Sequence, residues 1–332
     1  MPSVPSVPSV RLFDADAVAA ALPFAGLIDA LREAFAEGAE VPARHVHRIP
    51  DGAGQEITSL LMPAWTRLPA GHGADSGFYG VKIINVAPGN AARGLPGLHG
   101  SYLLFEASTG RPLALMDADV LTARRTAAAS ALAASYLARP DASRLLVLGA
   151  GRVAALLPAA MASVRPIHHV AIWARRPEAA ATLAVRWQVA GFEVELVDDA
   201  DLPAAVAAAH IVSTATLATE PLVQGAWLAP GSHLDLIGGF TPAMREADDN
   251  CFRGARLVVD TEEALVKAGD LLGPLSRGLF TPADVRATLA QLARGTLPGR
   301  TQEKQRTVFK SVGTALEDLA AARRVWALRS AA

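Results

Sequence analysis

Cysteine is almost absent from this chain: Cys251 stands alone, so no disulfide can form within it, which fits a reducing, cytoplasmic setting. Net charge is nearly absent too, with 31 Lys and Arg against 32 Asp and Glu. That balance excludes the basic stripe of a nucleic-acid binder and gives no electrostatic pull toward an anionic membrane. The stretch Leu145 to Val164 is apolar enough to suggest a membrane span, but Gly149, Gly151, Arg152 and Pro158 interrupt it. The first ten residues repeat Pro-Ser-Val without a basic region or an apolar core, so they read as a disordered leader rather than a signal peptide. There is no Gly-x-Ser-x-Gly nucleophile elbow. His45-Val-His47 and His168-His169 lack an acidic partner at ligand spacing, so no metal is expected.

What is present is a core-rich chain of 332 residues, 51% hydrophobic, long enough for two domains. Its most informative stretch is Arg144-Leu-Leu-Val-Leu-Gly-Ala-Gly-Arg-Val-Ala154, which reads as a buried strand, a glycine turn and then a long helix. Gly149, Gly151 and Ala154 fill the three positions of a dinucleotide fingerprint. Gly149 permits the tight turn, Gly151 lets the backbone approach a pyrophosphate, and Ala154 keeps the helix close to the strand. Arg152 and Val153 lie within the same turn, at the positive helix end where the pyrophosphate is expected.

A second acid-free feature sets the cofactor. NAD sites carry Asp or Glu at the end of the second strand. Here His169-Val-Ala-Ile-Trp173 runs into Ala174, Arg175 and Arg176, and the first acid, Glu178, follows Pro177. Two guanidiniums suit a 2′-phosphate, so NADPH is favoured over NADH.

Periodicity fills in the rest. Residues 14–38 have helical spacing, and short strand-like runs follow at Ile57 to Met62, Tyr79 to Val86, Ser101 to Glu106 and Pro112 to Asp117. Ser108-Thr-Gly-Arg111 reads as a hairpin turn, and Leu121 to Ala138 as a helix. Strands are expected at 144–149, 169–173, 193–197, 210–213, 233–237 and 256–260, with helices between several of them. Thr307 to Leu328 reads as a final helix. The fold class is therefore α/β: a central Rossmann-type, doubly wound parallel sheet beside an α+β domain.

Four separated motifs carry a resemblance. They are Val81-Lys-Ile-Ile-Asn-Val-Ala-Pro-Gly-Asn90 with Gly94-Leu-Pro96, Leu121-Thr-Ala-Arg-Arg-Thr-Ala-Ala128, the fingerprint, and Leu236-Ile-Gly-Gly-Phe-Thr-Pro-Ala-Met-Arg-Glu246. Together they resemble the ornithine cyclodeaminase/μ-crystallin family, and within it the cyclic ketimine reductases. Asp260-Thr261, Ala268-Gly-Asp270, Phe309-Lys-Ser-Val-Gly313 and Arg152 resemble the same branch. The resemblance implies a substrate-binding and dimerisation domain from residues 11–125 with 307–332, an NADP(H)-binding domain from 126–306, and a homodimer. It implies NADPH-dependent reduction of 1-pyrroline-2-carboxylate, and of 1-piperideine-2-carboxylate, to L-proline or L-pipecolate. An amino-acid dehydrogenase such as alanine dehydrogenase, or a binding protein holding NADPH and a small ligand, are the alternatives within the family.

Site residues follow from the matched motifs. Arg44 and Arg125 are expected on the substrate carboxylate, although by itself Arg44 reads as a loop charge. Lys82, inside an apolar strand, is costly to bury unpaired, and the resemblance makes it the proton donor or a carboxylate ligand. His99 either orients substrate or satisfies its own loop, and Asn85 is equally open. Phe240 replaces the catalytic Asp of cyclodeaminases, which argues against ornithine cyclisation and leaves an apolar wall for a ring. Thr214, with Ser213 and Thr216, ends a strand where cofactor contacts gather. Val312 and Gly313 resemble the loop that approaches the nicotinamide.

Overall fold

A computed structural model describes residues 10–52, 54, 56–66 and 77–328; apart from Val10, the expected leader lies outside the described residues. The chain divides into two compact units, residues 1–125 with 314–332 and residues 126–313.

The first unit is built on a seven-stranded sheet. Its strands are β1 (Arg11–Phe13), β2 (Ala39–Glu40), β3 (His45–Pro50), β4 (Glu56–Thr66), β5 (Phe78–Val86), β6 (Leu98–Glu106) and β7 (Pro112–Asp117). The order is β1-β7-β6-β5-β4-β2, with β3 also on β4; all pairs are antiparallel except β1 with β7. The helical spacing of residues 14–38 resolves into two helices, α1 (Ala15–Ala21) and α2 (Phe24–Glu37). Asp14 caps α1 by accepting from the Ala17 amide, and Pro23, extended at ψ 141, separates the two. Helix α3 (Ala118–Leu137) follows β7 and crosses the boundary between the units.

In the second unit eight strands form one all-parallel sheet: β8 (Arg144–Leu148), β9 (His169–Trp173), β10 (Glu193–Leu196), β11 (Ile211–Thr214), β12 (His233–Leu236), β13 (Arg256–Val259), β14 (Val285–Thr288) and β15 (Thr307–Lys310). The order β10-β9-β8-β11-β12-β15-β13-β14 reverses direction between β8 and β11. That switch opens a crevice at the strand ends, where doubly wound sheets bind nucleotides. The six strands expected from the sequence lie within one residue of the observed ones.

Two expectations are corrected. The helix after the fingerprint is not long: a 3-10 turn, Ala154–Leu156, leads into α4 (Leu157–Ala162), with Pro158 in its first turn. Thr307 does not begin the last helix. Residues 307–310 are strand β15, inserted between β12 and β13, and 307–313 belong to the second unit. Its β-branched and aromatic side chains are fully buried, which suits a central parallel strand. The remaining helices of this unit are α5 (Pro177–Val189), α6 (Leu202–Ala208), α7 (Ala264–Lys267), α8 (Gly269–Ser276) and α9 (Leu289–Ala293). The last helix is α10 (Ala315–Leu328), which packs on α2 and on β4, β5 and β6 of the first unit.

Candidate functional site

In the first unit the site begins with one strand. Along β5, Gly80, Lys82 and Ile84 are buried while their neighbours are only half-buried, the alternation of a sheet with one covered face. Lys82 pairs with Met62 on β4 and Tyr102 on β6, so it lies inside the sheet and not on an edge. It is 2% exposed. Its Nζ stands 2.7 Å from Oδ2 of Asp318 on α10. The same carboxylate accepts through Oδ1 from Nε of Arg125 at 2.8 Å, and Glu317 takes Nη1 of Arg125 at 2.5 Å. All four side chains are buried.

The electrostatics follow from that burial. Desolvation lowers Lys82 to about 8, against the pull of Asp318, which holds it up, and with help from the charge of Arg125. Burial opposes the charge of Arg125 as well, but Asp318 and Glu317 outweigh it and keep the guanidinium charged. Burial would raise Asp318; Arg125 and Lys82 reverse that and hold it below the usual carboxylate range. Tyr102 is wholly buried nearby, its hydroxyl without a hydrogen-bond partner among the described residues. Its titration is pushed well above normal by burial and by Asp318. A cluster of this kind offers an ammonium that loses its proton near neutral pH beside a guanidinium that never does.

Other candidates are placed differently. His99 pairs with Asn85 across β5 and β6, three residues along from the Lys82–Tyr102 pair and so an odd number of steps away. Both therefore face away from Lys82, and His99 is exposed. The two roles the sequence left open for His99 and Asn85 thus concern the sheet face opposite Lys82. Arg44 is half-buried in the loop before β3. Missed from the sequence were Asp318, Glu317 and Tyr102. The signal was available for the acids: two carboxylates open a helix whose other residues are mostly apolar.

In the second unit the fingerprint has the geometry of a dinucleotide cradle. Gly149 has φ 119, and a Cβ there would sit 2.6 Å from the Ala215 carbonyl. Only glycine fits between the ends of β8 and β11. Gly151 is the opposite case: a Cβ there meets nothing within 4 Å, so the backbone faces open space. Ala154 is fully buried, Val153 half-buried and Arg152 exposed. Residues that carry close approach, open space and a helix start in that order fit a pyrophosphate. Arg175 and Arg176 are exposed in the turn between β9 and α5, with Arg176 at the helix N-cap. Phe240 is 44% exposed after β12.

The loops of this crevice are held by buried acids that the sequence reading left without roles. Glu246 accepts from the Thr214 hydroxyl at 2.7 Å, the Thr216 hydroxyl and amide, and the Gly238 amide. The Thr214 hydroxyl thus donates inward to Glu246. Asp260 accepts the amides of Val312 and Gly313 at 2.8 and 2.7 Å, fixing the loop after β15. Asp270 pairs with Lys310 at 3.0 Å. Among the described residues no group of three or more His, Cys, Asp or Glu is arranged to hold a metal, and no helix is long and apolar enough to cross a membrane.

The comparisons agree with this geometry. The model of the Ornithine cyclodeaminase/mu-crystallin family matches residues 16–330. The chain belongs to that family. It is 42% identical over 278 residues to the Delta(1)-pyrroline-2-carboxylate reductase of Paracoccus denitrificans, covering 83% of this chain and 87% of that one. Among solved structures it resembles the Delta(1)-pyrroline-2-carboxylate reductase of Thermococcus litoralis in complex with NADH and L-proline, at 31% identity and TM-score 0.86, over 96% of this chain and 97% of that one. An archaeal alanine dehydrogenase dimer with bound NAD follows at 27% identity and TM-score 0.85, over 97% and 96%.

Proposed function

We propose that this family member is an NADPH-dependent reductase of cyclic ketimines, taking 1-pyrroline-2-carboxylate to L-proline and its six-membered homologue to L-pipecolate. The observation that carries the reading is the buried Lys82–Arg125 pair, two cations set against an apolar sheet face. An imino acid needs both: a guanidinium for its carboxylate and an acid for its nitrogen. Nη2 of Arg125 has no acceptor among the described residues and is the nitrogen for the substrate carboxylate, with Arg44 assigned to the same group. Lys82 gives a proton to the imine nitrogen, which makes the C=N carbon electrophilic, and regains one from solvent. A bound nicotinamide supplies the hydride to that carbon. Gly149, Gly151 and Ala154 hold the pyrophosphate, Val312 and Gly313 border the nicotinamide, and Phe240 presents a wall without a titratable group.

The test is NADPH consumption by the full-length protein. Turnover with 1-pyrroline-2-carboxylate, and none with pyruvate plus ammonia, is expected. Turnover only with pyruvate and ammonia supports an amino-acid dehydrogenase, the reading favoured by the likeness to the alanine dehydrogenase. Binding of NADPH without turnover of either supports a binding protein.

Cofactor preference is assigned to Arg175 and Arg176, which follow β9 with no acid before Glu178. Replacing both by Ala should raise the NADPH KM about 10- to 100-fold, as expected for lost charge-assisted hydrogen bonds, and leave the NADH KM nearly unchanged. Equal effects on the two cofactors would remove the phosphate assignment.

The homodimer is assigned to the uncovered face of the first sheet. Opposite Lys82, that face carries half-buried Leu61, Val81, Ile83 and Leu103, with Leu12 75% and Trp65 39% exposed. A continuous apolar sheet face in water calls for a partner. Ile83→Lys with Leu103→Lys should give a monomer by light scattering; an unchanged dimer would place the interface elsewhere.

A further inference from the structure

Acids in the first turn of a helix usually face solvent, where they complement the positive helix end at little cost. Helix α10 does the reverse. Glu317 is 1% exposed and Asp318 0%. Asp318 spends its two oxygens on two different cations, Oδ1 on Arg125 Nε at 2.8 Å and Oδ2 on Lys82 Nζ at 2.7 Å. Glu317 closes the other side of the guanidinium at 2.5 Å. The quartet holds two positive and two negative charges, so it is neutral before any substrate arrives.

A second observation marks the cluster as more than a structural ion pair. One buried carboxylate thus bridges two buried cations that come from different elements, Lys82 on β5 and Arg125 on α3. The Tyr102 hydroxyl is buried beside them without a hydrogen bond among the described residues. A buried hydroxyl left unsatisfied beside a buried charge network is costly and marks a site with work to do beyond holding the fold. With Asp318 on one side of the ammonium, Lys82 keeps protons for a second partner, and Arg125 Nη2 has no acceptor among the described residues.

We infer that Asp318 is the positioning residue of the reduction: its carboxylate aligns Lys82 and Arg125 for one imino-acid substrate and keeps Lys82 charged until the proton is needed. The inference rests on the ketimine reading for its chemistry. Its electrostatic content stands separately. The groups facing Lys82 are Asp318 and Glu317 from α10, Arg125 from α3 and Tyr102 from β6. Of these, Asp318 is the strongest influence favouring the ammonium, while burial and Arg125 oppose it.

The experiment uses Asp318→Asn in the full-length protein, with two readouts. One follows the Lys82 side chain by NMR of carbon-13-labelled lysine, practical because only Lys82, Lys267, Lys304 and Lys310 are present. Lys82→Arg assigns the signal. The wild-type titration is expected near 8 and should fall by about one to three pH units in D318N, the usual effect of losing an adjacent opposite charge. The second readout is the pH profile of kcat/KM, whose basic limb should move to lower pH by the same amount. A folded D318N with both the titration and the limb unmoved would overturn the inference and leave Asp318 a packing residue. If the wild type turns over no ring imine, the ketimine reading fails while the NMR titration still decides the role of Asp318. Should D318N not fold, Asp318→Glu serves: it keeps the charge, so the Lys82 titration should stay near its wild-type pH while kcat falls. A D318E protein with wild-type kcat would contradict the positioning role.

Discussion

Lys82→Met should reduce kcat for 1-pyrroline-2-carboxylate by about 10²- to 10⁴-fold, the usual contribution of a positioned general acid. NADPH binding, which the account assigns to the other unit, should be unaffected in a fluorescence titration. Lys82→Arg makes the sharper test. Arg keeps the positive charge beside Asp318 but cannot give up a proton at any accessible pH. The KM should therefore stay close to wild type while kcat stays low. An active K82R protein would show that Lys82 only holds the carboxylate. In the wild type, Lys82 titrates near 8 and is needed as the ammonium. Activity should then be full below that pH and decline above it.

Arg125→Met should cost about 3–5 kcal/mol in urea unfolding, because it takes the guanidinium away from two buried carboxylates. It should also raise the KM for the ring imine about 10- to 100-fold through the lost charge-assisted hydrogen bond. Stability and function can be separated. Replacing all four charges, as Lys82→Met, Arg125→Met, Glu317→Leu and Asp318→Leu together, makes the cluster a hydrocarbon core. Stability should recover much of the loss, since well-packed apolar groups often match a buried ion network. Activity should not. Recovery of turnover in the apolar variant would refute a catalytic role for the cluster.

Much of this fold was legible because parallel strands buried on both faces are short continuous apolar runs, and Leu145–Leu148 or Val170–Ile172 can hardly be read otherwise. Strand β15 escaped for the complementary reason. Its four residues begin with Thr307 and end with Lys310, both polar, and their side chains are satisfied by partners outside the strand, Leu137, His233 and Arg300 for Thr307 and Asp270 for Lys310. Beside the helical pattern of 315–328 the segment passed as more helix. The fingerprint was legible in its glycines, but the broken helix behind it was not, although Pro158 was in plain view.

The site shows the same division. Lys82 stood out as a charge in an apolar strand, and its burial required a partner. Which partner could not be read, because Asp318 lies more than two hundred residues further along and looks locally like an ordinary first-turn acid. His99 illustrates the limit in the other direction. It is near Lys82 through neighbouring strands, yet its partner Asn85 lies three residues along β5, an odd step that turns both to the opposite face. Glu246 and Asp260 were visible within matched motifs, but their work is to hold backbone amides of loops, and such bonds appear only once the loops are folded.

The central claim is hydride delivery to the imine carbon under the control of this cluster. The most direct measurement is single-turnover reduction of 1-pyrroline-2-carboxylate with NADPH deuterated at C4, in protein carrying wild-type Lys82 or Lys82→Met. The account predicts L-proline with one deuterium at its α-carbon from the wild type, and almost none from the variant over the same time. Proline without deuterium, or equal labelling from both proteins, would contradict it.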